Sequence, residues 1–281
     1  MVTLSPGLYF VATPIGTARD ITLRALDVLA SADVIAAEDT RSLRRLMDIH
    51  GVPLGGRRVL SYHDHSGAGA RARLLAALAE GKSVAYASEA GMPLIADPGY
   101  ELSRAAAEAG FMVTVAPGAS AALAALTLAG LPTDAFFFAG FLPNSTGQRR
   151  ARLETLKEIP GTLVFYESPK RAAASLRDMA EVLGTDRKAA LCRELTKKFE
   201  EVRRGSLQDL AGLADTEPPR GEIVILVDRG HSPSVSEADI ESDLRRALET
   251  QSVRDASDLV AQMHGLPRRK VYQMALKLNK D

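Results

Sequence analysis

The chain has 281 residues, of which 46% are hydrophobic and 25% charged, a composition typical of a globular protein large enough for two domains. Its 35 basic and 35 acidic residues give a formal net charge of zero. No overall field therefore attracts nucleic acid or an anionic membrane, and any contact with nucleic acid must come from a local patch. The single cysteine, Cys192, excludes an internal disulfide and a cysteine-based zinc cluster.

The N-terminal stretch MVTLSPGLYF lacks the basic segment and apolar core of a signal peptide. No apolar run approaches the ~18 residues that a membrane-spanning helix needs. We therefore expect a soluble, cytoplasmic protein.

The first part of the chain alternates between strand-like and helix-like segments as far as about Pro117. Short apolar runs predict strands at Leu8–Ala12, Val34–Ala37, Val59–Tyr62, Val84–Ala87 and Val113–Val115. Apolar residues spaced three and four apart predict helices near Ile21–Ala30, Arg71–Glu80 and Leu102–Ala109, with Asp20 as a candidate N-cap. This alternation predicts an α/β domain, residues 1–117, with a largely parallel sheet.

Two loops rich in Gly and Pro follow predicted strands, TPIGT at residues 13–17 and SEAGMPLIADPG at 88–99. Ligands of parallel sheets bind beyond the carboxyl ends of the strands, which is where both loops fall. Neither loop is a G-x-G-x-x-G or Walker phosphate loop. The second is longer than the roughly 2–6 residues of an ordinary strand-to-helix connection, which indicates a function.

The rest of the chain predicts a second α/β domain, residues 118–231, and a helical C-terminal region, residues 232–281. The strand-like segments of the second domain are AFFFAGF, TLVFYES, AALCREL, EEVRRG and EIVILVD, with helices near Arg149–Lys157 and Ala172–Leu183. In the C-terminal region, Ser252 and Pro267 mark helix starts and Gly265 a stop, in an outline that resembles a helix-turn-helix.

Several polar clusters are candidates for chemistry, each with a structural alternative. Asp39 follows a strand beside Glu38 and could act as a base or could cap the helix that begins at Thr40. His63 and His65 suggest a pair of metal ligands together with Asp64. No third His or Cys lies nearby, so we expect no metal site. Basic residues cluster in NSTGQRRARL, RELTKKFEEVRRG and PRRK, either as phosphate contacts or as solvated surface.

Taken together, these motifs carry a resemblance to a known family. LYFVATPIGTARDITLRAL, IAAEDTR, SYHDH, SEAGMPLIADPGY, PGASA, GLPTDAFFFAGFLP, FYESPKR, RELTKKFEEVRRG and PRGEIVILV occur in order and at matching spacing. They closely resemble the ribosomal RNA small-subunit methyltransferase I family, within the tetrapyrrole-methylase-like superfamily of S-adenosylmethionine-dependent enzymes. The resemblance covers Leu8 to about Val227, and the tail is similar to the family's C-terminal appendage.

The resemblance implies a fold and a reaction. It implies two α/β domains of the tetrapyrrole-methylase type with the cofactor in the cleft between them, usually as a homodimer. It implies 2′-O-methylation of the ribose of a cytidine in the decoding region of 16S ribosomal RNA, free or within the 30S subunit. Two rival functions remain open: a small-molecule methylase of the tetrapyrrole type, and a non-catalytic RNA-binding protein that kept the fold.

Matching motifs also imply which residues bind S-adenosylmethionine. They are Pro14, Ile15, Glu89, Met92, Ile95, Ser120, Ala121, Tyr166, Gly221, Glu222 and Ile223. The chain departs from the usual family pattern at Thr17, Ala18, Glu89, Met92 and Ala96, and the resemblance places Ser or Asn at the last of these.

The reaction also needs a proton acceptor and contacts to RNA. Candidates for the acceptor in matching motifs are Asp39, Glu167, Glu194, Lys197 and His63. We favour Lys197, steadied by Glu194, with Asp39 as a further catalytic candidate; the alternative is a structural ion network. RNA contacts are predicted at Arg149, Arg150, Arg152, Arg193, Arg268, Arg269 and Lys270.

Overall fold

The computed structural model describes residues 3–63, 67–230, 237–264 and 266–278. The chain divides into two compact units, Met1–Arg229 and Gly230–Asp281. The first unit holds two five-stranded sheets and the second holds three helices. The predicted fold class is confirmed, and the predicted boundary at 117/118 falls between the two sheets.

The first sheet is entirely parallel, with strand order β3-β2-β4-β1-β5. Its central strands are buried on both faces, which explains their nearly continuous runs of Val, Ala, Leu and Tyr. All five predicted strands are confirmed: β1 (Gly7–Val11), β2 (Val34–Ala37), β3 (Val59–Ser61), β4 (Ser83–Ala87) and β5 (Val113–Ala116).

Helices cover both faces of this sheet. Two of them, α1 (Leu23–Ser31) and α2 (Thr40–Ile49), pack on the side of Tyr9 and Val11. The other two, α3 (Gly67–Ala79) and α4 (Tyr100–Glu108), pack on the side of Leu8 and Phe10. The N-cap of α1 is Thr22, whose hydroxyl accepts from the Ala25 N–H at 3.1 Å, so the predicted cap Asp20 is wrong.

The second sheet is mixed, with strand order β6-β7-β10-β8-β9. Only β6 and β7 are parallel, and the three remaining pairs are antiparallel. Its strands are β6 (Phe136–Phe141), β7 (Thr162–Glu167), β8 (Lys188–Arg193), β9 (Glu201–Ser206) and β10 (Ile223–Val227).

One face of the second sheet is covered by three helices and the other by α5 (Ala121–Ala129). The three are α6 (Thr146–Leu156), α7 (Ala172–Leu183) and α8 (Leu207–Thr216). On the α5 face, Ile15 from the loop after β1 and Leu195 from the loop after β8 join the same apolar cluster. The first loop of the first sheet therefore packs into the core of the second.

In each sheet, several strand ends lie together at one edge. The carboxyl ends of all five parallel strands share one edge of the first sheet. In the second sheet, Ile223 at the start of β10 pairs with Glu167 at the end of β7 and with Arg193 at the end of β8. Phe141 at the end of β6 pairs with Tyr166, so four strand ends meet at one edge.

The second unit has a small core of its own. It comprises α9 (Glu237–Leu248), α10 (Val253–His264) and α11 (Arg268–Leu278), packed through Ile240, Leu244, Val260 and Val271. The predicted helix starts at Ser252 and Pro267 are confirmed, whereas Gly265 lies outside the described residues. None of the helices in the described ranges is both long and apolar enough to cross a membrane.

Candidate functional site

A cavity of about 490 Å³ opens where the ligand-facing edges of the two sheets meet; we call it the cleft. The first sheet supplies the loops after β1 and β4, and the second supplies the ends of β6 and β7 and the segment before β10. The lining residues are Ile15, Glu38, Glu89–Asp97 except Pro93 and Leu94, Ser120, Ala121, Phe141, Tyr166–Pro169, Leu195 and Gly221–Val224.

Ten of the eleven predicted cofactor contacts line this cleft. They are Ile15, Glu89, Met92, Ile95, Ser120, Ala121, Tyr166, Gly221, Glu222 and Ile223. The exception is Pro14, which lines a neighbouring cavity. The sequence analysis did not name Glu38, Asp97, Phe141 and Leu195 as cofactor contacts, although all four line the cleft and lie in motifs that carried the resemblance.

The two Gly/Pro-rich loops are joined by backbone hydrogen bonds. Thr13 and Gly91 form an isolated antiparallel bridge, each N–H donating to the other's carbonyl at 3.0 Å. The Thr13 hydroxyl adds bonds to the carbonyls of Ser88 and Glu89, at 3.3 and 3.2 Å. The two loops therefore form one continuous floor.

The second loop contains residues in an unusual backbone conformation. Leu94 and Ala96 have φ of 70° and 60°, in the left-handed region that non-glycine residues seldom adopt. Such strain is held only where the surroundings fix it, and it clusters at ligand sites.

An aromatic wall closes one side of the cleft. The Tyr166 ring packs edge-to-face against Phe138 and Phe141, with centroids 4.9 and 5.7 Å apart. Burial raises the pKa of the Tyr166 phenol, although hydrogen bonds with the Ala122 backbone and the Ser120 side chain oppose the shift. This wall is an apolar surface suited to a flat heterocycle.

The segment before β10 fits closely against Glu194. Gly221 has φ of 82°, and a Cβ there would lie 2.2 Å from Glu194 Oε1. The Glu194 N–H donates to the Glu222 carbonyl, and the Glu222 N–H donates to Glu194 Oε1, both at 3.0 Å. That bond from the Glu222 backbone is the main reason why the pKa of Glu194 lies below its ordinary value.

Lys197 is a cation that holds this segment in place. Its Nζ lies 3.1 Å from Glu194 Oε1 and 3.0 Å from Glu222 Oε2. Burial lowers the pKa of Lys197, but the hydrogen bonds to Glu222 and Glu194 outweigh it, and the pKa is raised. A raised pKa makes a lysine less available as a proton acceptor, and the two ion pairs support the alternative of a structural ion network.

A group of carboxylates, Glu38, Asp39 and Glu222, surrounds Glu89. Asp39 caps α2, its Oδ1 accepting from the N–H groups of Arg41 and Ser42 at 2.7 and 3.1 Å, and these bonds lower its pKa. Asp39 is therefore a helix cap. Burial, and then the charges of Glu38, Asp39 and Glu222, raise the pKa of Glu89.

The predicted RNA-binding arginines of α6 differ in accessibility. Arg149 is only 4% exposed, and its guanidinium bonds the buried Asp178 at 2.5 Å, so the prediction that it contacts RNA is corrected. Arg150 pairs with Asp178 and Glu181, and Arg152 is exposed. Arg149 is buried because Asp178, 29 residues further along the chain, neutralises its charge where α6 packs against α7.

The remaining predicted RNA contacts are also distributed unevenly. Arg193 is half-buried and pairs with Glu201 at 3.0 Å. In the second unit Arg268 pairs with Asp258, whereas Arg269 and Lys270 are exposed.

The remaining candidates for the proton acceptor are Glu167 and His63, and His63 also belongs to the histidine motif. Glu167 is buried and accepts from Ser168 N–H and Ser175 Oγ, at 2.8 and 2.5 Å. Asp64 and His65 lie outside the described residues, whereas His63 lies within them. Across the parts of the chain that the structure describes, no group of three His, Cys, Asp or Glu residues could hold a metal ion.

Comparison with known proteins relates the whole chain to one group of enzymes. Residues 7–211 match the family described as Tetrapyrrole (Corrin/Porphyrin) Methylases, and residues 234–279 match the family described as RsmI C-terminal HTH domain. A Mesorhizobium japonicum protein named ribosomal RNA small subunit methyltransferase I is 49% identical, covering 98% of this chain and 93% of the relative. Its Escherichia coli O157:H7 namesake is 41% identical, covering 96% and 94%.

Solved structures show the same fold at low sequence identity. Diphthine synthase aligns with a TM-score of 0.61 at 17% identity, over 79% of this chain and 89% of that one. The cobalt precorrin-4 methyltransferase CbiF aligns with a TM-score of 0.58 at 20% identity, over 79% and 94%.

Proposed function

Because the chain belongs to the ribosomal RNA small subunit methyltransferase I family of tetrapyrrole methylases, we propose that it methylates small-subunit ribosomal RNA with S-adenosylmethionine. The resemblance carried by the sequence motifs is thereby confirmed. The specific reaction that we propose is 2′-O-methylation of the ribose of a cytidine in the decoding region of 16S ribosomal RNA.

The charge of the cleft is the observation that carries the cofactor proposal. Among the described residues that line it, none is Lys, Arg or His, and five are acidic: Glu38, Glu89, Asp97, Glu167 and Glu222. An acidic lining repels the phosphates of a nucleotide cofactor and attracts the sulfonium and ammonium groups of S-adenosylmethionine. The aromatic wall of Phe141 and Tyr166 suits its adenosine.

In this proposal, each side of the cleft has a separate task. The cofactor, when bound, supplies an electrophilic methyl group. Glu194 and Lys197 position the segment of residues 221–223, which would contact the adenosine. Ser120 and Ala121, at the start of α5, line the same cleft and would contact the cofactor there. Orientation of the reacting groups supplies much of the rate enhancement, on the order of 7–11 kcal/mol.

We assign the proton acceptor to Glu89. Its side chain lines the cleft, partly desolvated by the walls but accessible to a substrate, and a raised pKa makes a carboxylate a stronger base. Lys197 is engaged in ion pairs with Glu194 and Glu222, Glu167 accepts a hydrogen bond from Ser175, and Asp39 caps α2. Glu89 is therefore the carboxylate best suited to accept a hydroxyl proton.

The partners that we propose are ribosomal RNA, free or within the 30S subunit, and a second copy of the chain in the cytoplasm. β6 is an edge strand, and its Phe136 and Phe137 are 46% and 36% exposed. Edge strands with exposed aromatic residues pair readily with another chain. Phe136→Lys with Phe137→Lys should convert a dimer to a monomer in sedimentation, and an unchanged mass would place the interface elsewhere.

The reaction is tested by transfer of labelled methyl from S-adenosylmethionine to small subunits that lack the modification, followed by mapping of the labelled nucleotide. One 2′-O-methylated cytidine in the decoding region would establish enzyme and substrate together. Cofactor binding without labelled RNA would favour a small-molecule methylase, and failure to bind the cofactor would favour a non-catalytic RNA-binding protein.

A further inference from the structure

A second cavity, of about 440 Å³, adjoins the cleft and has a different character; we call it the α2 cavity. It lies between the loop after β1, one side of α2 and the start of the loop after β4. Ile15 lines the cleft, whereas its neighbours Pro14 and Gly16 line the α2 cavity. Glu89 lines both cavities, so groups bound in the two would share one carboxylate.

The solvent-facing side of α2 is basic. Leu43 and Met47 anchor the helix in the core, which leaves Arg41, Arg44 and Arg45 exposed. Asp39 lies 3.8 Å from Arg41. Within the described chain, no carboxylate lies within ion-pair distance of Arg44 or Arg45, whereas Arg149 and Arg150 are neutralised.

The wall of the α2 cavity combines the groups that bind one unstacked nucleotide. Arg45 supplies a guanidinium plane, and Ile49, which is 56% exposed, supplies an apolar surface. Unstacked RNA bases pack against such planes and apolar side chains, and their phosphates are held by arginine. Thr13, Ser42 and Ser88 line the same space, and of these three residues only Ser42 is exposed.

We propose that the α2 cavity receives the target nucleotide of the RNA substrate, with Arg44 and Arg45 on its flanking phosphates and Ile49 against its base. This inference rests on the proposed function and adds where the RNA is held. The shared Glu89 then lies between the ribose on one side and the methyl donor on the other. The α2 arginines belong to no basic cluster identified in the sequence.

The first test removes the proposed phosphate contacts. Arg44→Ala and Arg45→Ala should each raise the KM for small subunits roughly tenfold and reduce the salt dependence of binding by about one unit of log–log slope. The affinity for S-adenosylmethionine should not change, since neither residue lines the cleft. Arg73→Ala on α3 is the matched control, because that arginine is exposed, lines neither cavity and belongs to a helix on the opposite face of the first sheet from α2.

The second test fills the cavity without removing charge. Ser42→Trp places a large side chain on the cavity wall at an exposed helical position, so the fold should be retained, as checked by circular dichroism. Methyl transfer to RNA should fall by at least tenfold, with cofactor binding unchanged. Normal KM and rate in both α2 arginine variants and in Ser42→Trp would overturn the inference.

The two proposals fail in different ways. If the unmodified protein labels ribosomal RNA but the α2 variants behave like Arg73→Ala, only the location of the RNA is wrong. If the unmodified protein binds S-adenosylmethionine and labels no RNA, the proposed function fails, and the assignment of the α2 cavity to an RNA nucleotide fails with it.

Discussion

Gly221 shows how a single residue type can be fixed by its surroundings. Its φ of 82° favours glycine, and the space that a Cβ would occupy is filled by the Glu194 carboxylate. Any side chain at this position must displace Glu194, and with it the hydrogen bond from Glu222 and the ion pair with Lys197.

Gly221→Ala should therefore weaken both stability and cofactor binding. The left-handed backbone alone costs an alanine about 1–2 kcal/mol of folding free energy, and the displaced Glu194 should lower the affinity for S-adenosylmethionine further. Urea unfolding and titration calorimetry measure the two effects. Gly212→Ala on α8, where a Cβ meets nothing within 4 Å, is the control and should gain up to about 1 kcal/mol. An unchanged cofactor affinity in Gly221→Ala would contradict this account.

The pKa of Glu89 gives a second prediction at the scale of a residue. Because this pKa is raised above 4.5, the folded protein holds the proton more tightly than the unfolded chain does. Its stabilising contribution is therefore complete below the ordinary glutamate pKa and is lost as pH rises through the raised value. The charged groups around it are Glu38, Asp39 and Glu222, the last of which is partly offset by Lys197.

Glu89→Gln should thus melt at a higher temperature than the unmodified protein at neutral pH, and the difference should shrink as the pH falls. The same variant should lose most methyl transfer, because an amide accepts no proton. Thermal unfolding across the acid-to-neutral range and single-turnover rates test both statements. Glu249→Gln, at an exposed position, is the control. A rate unaffected by Glu89→Gln would remove Glu89 as the proton acceptor.

Between elements, the contact of α6 with α7 depends on a buried ion pair. Arg149 and Asp178 are each 4% exposed as side chains, and Arg149 also donates to the Asn144 carbonyl at 3.0 Å. Removing one partner of such a pair leaves a charge in the interior, and this is usually strongly destabilising.

Arg149→Met should lower the free energy of unfolding by about 3 kcal/mol, the lower end of the usual range, because Arg150 still pairs with Asp178. Arg152→Met should change stability by less than about 0.5 kcal/mol, since that side chain is exposed. The affinity for RNA should fall in Arg152→Met and stay unchanged in Arg149→Met. A stable Arg149→Met protein with weak RNA binding would restore Arg149 to the RNA surface.

At the scale of the whole molecule, the cleft and the α2 cavity belong entirely to the first compact unit. A chain ending at Arg229 should therefore bind S-adenosylmethionine with unchanged affinity. It should bind small subunits more weakly, because Arg269 and Lys270 are removed with the second unit. Calorimetry with the cofactor and filter binding with subunits measure the two. Loss of cofactor affinity would show that the second unit supports the cleft.

The limits of sequence-based prediction lie in contacts between distant segments. Buried runs predicted every strand of the first sheet, and linked motifs predicted ten of the residues that line the cleft. The order of the second sheet was not predictable, because antiparallel pairing of β7, β10 and β8 depends on contacts far apart in sequence. The burial of Arg149 was missed because its partner, Asp178, lies 29 residues away, and the second ion pair of Lys197 was missed because Glu222 lies 25 residues away.

The bridge between Thr13 and Gly91 constrains the lengths of the two loops that it joins. The two loops begin at the ends of β1 and β4, which are neighbouring strands paired in a fixed register. The bridge joins the two loops to each other again only a few residues later. An inserted or deleted residue in either loop would shift the other, and would alter the walls of both cavities at once. At the turn of Gly55 and Gly56, by contrast, nothing lies within 4 Å of an added Cβ, so that turn has free space around it. Among related chains, changes of length should therefore collect at turns of that second kind and be absent from residues 13–17 and 88–92.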